Sequence, residues 1–439
     1  MLLFSNDLGV DLGTSNVLIY ADGKGLVVRE PCVVAVDRNT GKILQVGAAA
    51  RNMLNRTPGN VVAMHPLREG IISDHEMTVR MLQEMFKTAT KASVFTPKPR
   101  VVISVPSGVT EVEERSVINA AIEAGARRVF LIEEPLAAGL GAGLDIKDPS
   151  GHMVVDIGGG TTDIAVLSMN GVAVSSSLKV AGDSFDEAIG RYVRRQHGVV
   201  IGQVTAEDVK IQIGQVYPRH EELSMNVKGR DAKTGMPKMV TLTSTEIYEV
   251  LRRPARMIAD EVLSVLEQTS PELVSDVSEN GITLTGGCSQ LWGFAELLIE
   301  RTGIPCILAD DPDSCTAYGC GKSLAWINHM QEGPINIARR RIMRNGRFGK
   351  RKYQCSVDHR AGVFCPGRAV CGIGNRACLG SGGGPAFLRD LRRNRHGISD
   401  SWDHLPGRGI REAEERGTAD RVRQVCLGNH RRLAGEPFH

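Results

Sequence analysis

The chain has 439 residues, 42% of them apolar, 4% aromatic and 23% charged, with a formal net charge of +3. That length and apolar content suit two or three domains with sizeable cores. No run of eighteen apolar residues occurs, which argues against a membrane-spanning helix, and the start MLLFSNDLG is expected to be no signal peptide, because it lacks a basic region and a cleavage site.

Residues 7–20, DLGVDLGTSNVLIY, predict strand, turn and strand. Alternating apolar residues lead to Asp11, and Gly13, Thr14, Ser15 and Asn16 form a small polar tip. Residues 25–37 continue as strand with a break at Pro31, and the loop-rich stretch 40–72 reads as a small inserted subdomain. Over 75–88, Met77, Met81 and Met85 fall on one helical face with Leu82 and Phe86, the spacing of a core stripe. In KASVFTPKPR, Val94 and Phe95 sit between basic residues and prolines. They read either as a loop anchor or as a hydrophobic finger for an anionic membrane surface.

Residues 101–105 predict a buried strand, and Thr110 with Glu113 predicts a capping box opening a helix to about Ala124. The strand 129–132 ends at Glu133, Glu134 and Pro135, and the small-residue helix LAAGLGAGL follows. Two acids at this junction serve either as helix-start charges or as a water-orienting base in a cleft. The helix behind them is small enough to pack close to a neighbour, as a hinge requires.

The stretch MVVDIGGGTTD, 153–163, repeats the grammar of the first hairpin. A buried strand ends on Asp156, and the glycines let backbone N–H groups approach anionic oxygens with no Cβ in the way. Taken alone, GGGTT also fits a tight hairpin. Two acid-tipped turns about 145 residues apart suggest duplicated domains clasping one polyphosphate, with Mg²⁺ held between Asp11 and Asp156.

Strands 165–168 and 172–180 pair across Asn170 and Gly171, and the helix SFDEAIGRYVRRQ follows. Thr205 is expected to cap AEDVKIQIGQVY, where Glu207 and Lys210 share a face. They bracket a ribose and base edge or form a surface ion pair. Residues 223–242 predict two strands around a polar turn, and 244–267 a long helix interrupted near Pro254. GITLTGG, 281–287, is a third strand ending in glycines, with a helix expected from about Gln290. A strand at 304–309 precedes a loop and a last helix carrying Gly319 and Gly321 near its start.

Several long strings in this order resemble the MreB family, a bacterial branch of the actin, sugar-kinase and DnaK-chaperone superfamily. They are NDLGVDLGTSN, RTPGNVVAMHPLREGIISD, VFLIEEPLAAGLGAGL, GHMVVDIGGGTTDIAVLS, SFDEAIGRYVR, TAEDVKIQIG and GITLTGG. The resemblance implies an α/β actin-like fold with ATP and Mg²⁺ in a cleft between two duplicated domains. On that frame the domain I core takes 1–34, 68–147 and 316–338, with a small subdomain at 35–67. The domain II core takes 148–183 and 247–315, with a small subdomain at 184–246.

Residue by residue, Gly13, Thr14, Ser15 and Asn16 match the first phosphate loop, and Gly158, Gly159, Gly160 and Thr161 the second. Asp11 and Asp156 match the acids around the metal. Glu207 and Lys210, within Ala206, Glu207, Asp208, Val209 and Lys210, match the nucleoside clamp. Gly286 and Gly287 match the adenine-side turn, continued by Cys288 and Ser289. Glu134, or its neighbour Glu133, matches the hydrolytic acid, with Thr161 helping to orient the attacking water. Val94 and Phe95 match a membrane-binding loop. Three departures stand out. Cys288 replaces a third glycine, Gln212 stands where an acid is common, and Cys320 lies between two glycines.

The charge is unevenly spread. Residues 339–439 hold 22 Lys and Arg against 9 Asp and Glu, whereas the preceding chain holds 31 against 41. From Tyr353 onward there are 14 arginines and no lysine. This bias fits a disordered basic tail or a frame-shifted, unselected sequence better than a folded domain. No pair of cysteines has CxxC spacing, so a zinc site is not expected.

The resemblance implies a weak ATPase that polymerises with itself into filaments on the inner face of the membrane. Such filaments organise wall-synthesis morphogenetic proteins and so set rod shape. A cytoplasmic location and no nucleic-acid partner are expected for the core. The competing function is a nonfilamentous DnaK-like switch, which needs a β-rich client domain that the tail does not predict.

Overall fold

A computed structural model describes residues 7–90 and 97–330. Val94, Phe95 and the basic tail lie outside the described residues.

The first lobe begins with an antiparallel meander of β1 (Leu8–Leu12), β2 (Asn16–Ala21) and β3 (Gly25–Pro31). A small three-stranded sheet follows, made of β4 (Val34–Asp37), β5 (Ile43–Val46) and β6 (Val61–Met64). Helix α1 (Ala48–Arg51) lies between β5 and β6 in the chain. The hairpin β7 (Leu67–Arg68) and β8 (Ile71–Ile72) leads into α2 (His75–Thr90). Then β9 (Arg100–Val105), α3 (Glu111–Glu123), β10 (Arg128–Glu133) and α4 (Glu134–Ala142) complete the lobe. Its sheet has the order β10-β9-β1-β2-β3, with β9 parallel to both β1 and β10. The methionine stripe of α2 is buried in the core that this sheet also lines, with α2 packed against β2, β3 and α3. The expected capping box at Thr110 and Glu113 opens α3.

The second lobe repeats the plan. Strands β11 (His152–Ile157), β12 (Thr162–Ser168) and β13 (Gly171–Leu178) form the meander. Its second turn places Met169 and Asn170 at φ 52° and 59°, a two-residue geometry that matches strand twist. An insertion holds α5 (Gly182–His197), β14 (Val199–Val200), α6 (Gln203–Ile213), β15 (Ser224–Asp231) and β16 (Pro237–Thr243). Next come α7 (Ser244–Gln268), α8 (Pro271–Asn280), β17 (Ile282–Thr285), α9 (Phe294–Thr302) and β18 (Cys306–Leu308). The sheet order β13-β12-β11-β17-β18 mirrors that of the first lobe, again with three antiparallel and two added parallel strands.

The last α-helix among the described residues, α10 (Cys315–Ser323), crosses back to the first lobe and packs on α4 and β1. The crossing is backbone to backbone. A Cβ on Gly319 would stand 1.7 Å from the Ala137 carbonyl oxygen, and one on Gly141 would stand 1.7 Å from that of Cys315. The small residues of α4 are thus used for close approach. Among the described residues, no helix is long and apolar enough to cross a membrane.

Four local expectations are corrected. Thr205 is not a cap: α6 starts two residues earlier at Gln203, behind the extended Gly202, and it stops at Ile213 because Gly214 turns extended. Helix α7 runs unbroken through Pro254. A proline inside a helix costs about 3 kcal/mol. The fully buried stripe Ile247, Leu251, Ala255, Ile258 and Val262 holds both halves on one core and offsets that cost. After β17 comes a single 3₁₀ turn, Gly287–Gln290, and the true helix waits until Phe294. Gly319 and Gly321 lie in the middle of α10 rather than near its start.

Candidate functional site

The two meander turns face each other across a cavity of about 260 Å³. Asp11 and Gly13–Asn16 line it from one lobe, and Asp156 and Gly158–Thr161 from the other. The turns interlock by size. A Cβ on Gly159 would sit 1.9 Å from Ser15 Oγ, and one on Gly160 would sit 2.3 Å from Thr14 Oγ1. The bare backbone of one lobe therefore makes room for the hydroxyls of the other. Thr14 Oγ1 also accepts a hydrogen bond of 2.9 Å from the Gly70 N–H, which fixes it beside the β7–β8 turn.

Acids form the floor. Ser104 Oγ donates to Asp11 Oδ1 at 3.1 Å, and Thr316 Oγ1 donates to Asp156 Oδ2 at 2.8 Å. The Ser107 N–H donates to Asp163 Oδ1 at 2.7 Å. Asp163 is the cross-strand partner of Asp156, so both project from the same face of the hairpin. Burial pushes Asp11 up to about 6 against the Ser104 hydrogen bond. Burial pushes Asp156 up to about 7, opposed by the Thr316 hydrogen bond and reinforced by Asp11 and Asp163. Glu134 is held well above the usual carboxylate range, first by burial and then by the charges of Asp163, Asp11 and Asp156.

The two neighbouring acids at the β10–α4 junction separate cleanly. Glu134 lines the cavity, whereas Glu133 is buried beside Ser107, whose Oγ donates to its Oε2 at 3.3 Å. Glu207 and Lys210 both line the cavity from α6, yet they are not paired with each other. Lys210 Nζ bonds Asp186 Oδ2 at 2.9 Å and the Gly182 carbonyl at 3.2 Å. Glu207 bonds Arg51 of the first lobe. The surface ion-pair alternative is therefore overturned.

The rest of the predicted clamp behaves differently. Val209 is core, Ala206 is buried beside a neighbouring cavity, and Asp208 does not reach the main one. On the third side, Gly286, Gly287 and Cys288 line the cavity, while Ser289 turns inward and bonds the Gly286 carbonyl. Gly286 is the demanding position, with φ 82° and a Cβ position 2.4 Å from Asp156 Oδ1. Cys288 points its Sγ toward Gly182 and Lys210, so a side chain is accommodated at the third place of this turn. Gln212 is exposed and outside the cavity, and Cys320 is buried, donating to the Val10 carbonyl.

Sequence reasoning gave no role to Asp163, Ser104, Thr316, Gly70 or Asp313. Asp163 had a signal, since an acid mirrored across a hairpin turn shares its partner's face. Thr316 had none: it arrives 160 residues after the acid it holds.

The donor set fits a hydrated divalent cation with phosphate. Hard carboxylate oxygens crowd together beneath glycine backbone, and among the described residues Lys210, not an arginine, is the cation lining the cavity. Among the described residues, no group of three or more His, Cys, Asp or Glu is arranged to hold a metal alone. Mg²⁺ commonly takes one or two carboxylates and completes its shell with water and phosphate oxygens.

Two lobes of identical strand order, closed around one acid-floored cleft, define the actin-like fold class. The family described as MreB/Mbl protein matches residues 5–332. Cell shape-determining protein MreB of Escherichia coli (strain K12) is 49% identical over 330 residues, covering 74% of this chain and 95% of that protein. Cell shape-determining protein Mbl of Bacillus subtilis (strain 168) is 47% identical over 324 residues, covering 73% and 96%. The crystal structure of MreB 5 of Spiroplasma citri bound to AMPPNP superposes with a TM-score of 0.70 at 38% identity, over 73% of this chain and 96% of that one. The MamK double helical filament, at 23% identity and a TM-score of 0.62, shares the fold over 72% of this chain and 98% of that one. The chain belongs to the MreB/Mbl family.

Proposed function

We propose that the chain is a cell shape-determining cytoskeletal ATPase that binds ATP with Mg²⁺ in the interlobe cleft, hydrolyses it, and polymerises into membrane-attached filaments that position wall-synthesis proteins. The observation that carries the reading is the pair of facing acid-tipped turns. In support, relatives at 47–49% identity are cell shape-determining proteins, and a solved relative holds AMPPNP.

In this reading Thr14, Ser15 and Asn16 donate to phosphate oxygens from one lobe, and the backbone of Gly158, Gly159 and Gly160 from the other. Glu207 and Lys210 hold the nucleoside, with Gly286, Gly287 and Cys288 against the base. Asp11 and Asp156 would hold the cation through its water shell. Bound Mg²⁺ supplies positive charge against the charge that develops on the transferring phosphoryl group. Glu134, with Thr161, orients a water in line with the γ-phosphate and takes its proton. Positive charge in the cleft lowers the Glu134 carboxyl toward the ionised form that this role requires. The acidic floor repels free ATP, so nucleotide and cation are expected to enter together.

The test is co-sedimentation of the protein with ATP, Mg²⁺ and anionic liposomes. ATP-dependent polymers that pellet with liposomes are expected. Replacing Val94 and Phe95 by serine is expected to abolish liposome binding and to leave polymerisation intact. Absence of ordered polymers with membrane present, in the full chain and in a chain ending at Met330, sinks the filament reading and favours a nonfilamentous switch.

A further inference from the structure

The cleft mouth is bridged by charge. Arg51, the last residue of α1 in the first lobe, reaches Glu207 on α6 of the second, with Nη2 and Oε2 2.5 Å apart. On another side, Arg29 of β3 bonds Asp313 at 2.8 Å and contacts Asp311 at 3.6 Å and the Ser314 hydroxyl. Both principal acids, Glu207 and Asp313, also line the nucleotide cavity. A third cross-lobe pair, Lys179 with Glu69 at 3.4 Å, differs: neither residue lines that cavity, and both side chains are more than half exposed.

Glu207 is thus asked to do two things. Its carboxylate faces a position for the nucleoside, and its orientation is set by a guanidinium from the opposite lobe. The contact is a single charge-assisted N–H···O bond from Arg51 Nη2 to Glu207 Oε2, which restrains that carboxylate oxygen as well as balancing its charge. The small sheets near α1 and α6 are separate, with no strand pairing between them among the described residues. The Arg51–Glu207 contact joins the two lobes across the cleft mouth, and any opening of the cleft that separates α1 from α6 would break it.

We infer that Arg51 is a positioning residue for the nucleoside clamp: it aims Glu207 from across the cleft, so the clamp is complete only in the closed state, and it slows nucleotide release. The inference rests on reading the cleft as an ATP site. It gives the nucleotide side of the cleft a contribution from each lobe, as the phosphate side already has.

The test is stopped-flow release of a fluorescent ADP analogue, loaded with Mg²⁺ on the full chain. Arg51→Ala is expected to release about fivefold faster, the size of a good partly exposed ion pair. Arg51→Lys is expected to fall between the two. Because the part-buried pair sits at the nucleoside end, Arg51→Ala is expected to change the release rate by a larger factor than single-turnover hydrolysis of nucleotide already bound. Raising salt to about 0.5 M accelerates wild type toward the variant, since screening weakens the pair. Lys179→Ala is the control and should release at the wild-type rate. Wild-type release from Arg51→Ala overturns the inference, and so does equal acceleration in Lys179→Ala, which would indicate general loosening. If wild-type protein fails to bind the analogue, the nucleotide reading falls and carries this inference with it.

Discussion

The two lobes share one strand order and opposite turn chemistry. In the first, the β1–β2 turn carries side chains, Thr14, Ser15 and Asn16; in the second, the β11–β12 turn is nearly all backbone, Gly158, Gly159 and Gly160. The contacts explain the asymmetry, because each hydroxyl occupies the space where a Cβ of the opposite glycine would stand. Their acids differ as well. Asp11 is held by Ser104 of its own sheet, whereas Asp156 is held by Thr316 on α10, the helix that packs on the first lobe. The difference teaches that a duplicated fold makes a clasp by divergence: one copy offers donors on side chains, the other offers room and amides.

The strongest way to break this comparison lies at Glu134, which only the first lobe provides. Glu134→Gln is expected to lower ATP hydrolysis by about 100- to 1,000-fold, while nucleotide binding changes little. Glu133→Gln should stay within about threefold, because its side chain faces Ser107 and not the cavity. Steady-state phosphate release checks both, and equal losses would undo the separation of the two acids.

Next in size is the interlock itself. Gly160→Ala forces a methyl onto Thr14 Oγ1. Overpacking of this kind costs about 1–3 kcal/mol, so nucleotide affinity should fall by roughly 10- to 100-fold in an equilibrium titration. Thr14→Gly combined with Gly160→Ala should bind better than Gly160→Ala alone. If the double variant is worse by the sum of the two losses, the turns do not compete for one space.

The smallest expected effect is on pH dependence. Asp11 and Asp156 are raised by burial to about 6 and about 7. The folded state therefore keeps protons that the unfolded chain has already lost, and stability without nucleotide falls as pH rises from about 4 through 7. A drop of a few degrees in melting temperature over that window is expected. Asp156→Asn should flatten its upper part. Mg²⁺-nucleotide affinity should move the other way, rising with pH as the acids ionise.

Much of the site was legible because its chemistry is local. Asp11 with Gly13–Asn16, and Asp156 with Gly158–Thr161, are each a strand end and a turn, and both predicted turns face the cavity. Glu134 was legible only as one of two acids, since a strand-to-helix junction does not reveal which side chain points into a cleft. Lys210 was legible as a charged group on a helix face, but its partner Asp186 lies 24 residues away on α5. The break expected at Pro254 does not form, because the buried stripe on both sides of it overrides local propensity.

By itself the sequence determined the repeating units of this protein: acid-tipped hairpins, the core stripe of α2, the capping box at Thr110, and the small-residue helix α4. Each is encoded within a few neighbouring residues, through backbone freedom, side-chain period or capping. Only the tertiary structure decided how the lobes meet. Thr316 reaches Asp156, Thr14 fills the space over Gly160, and Arg51 reaches Glu207 across the mouth. These partners are brought together by the packing of α10 on α4 and the approach of two separate sheets. No local pattern specifies a contact between surfaces more than a hundred residues apart.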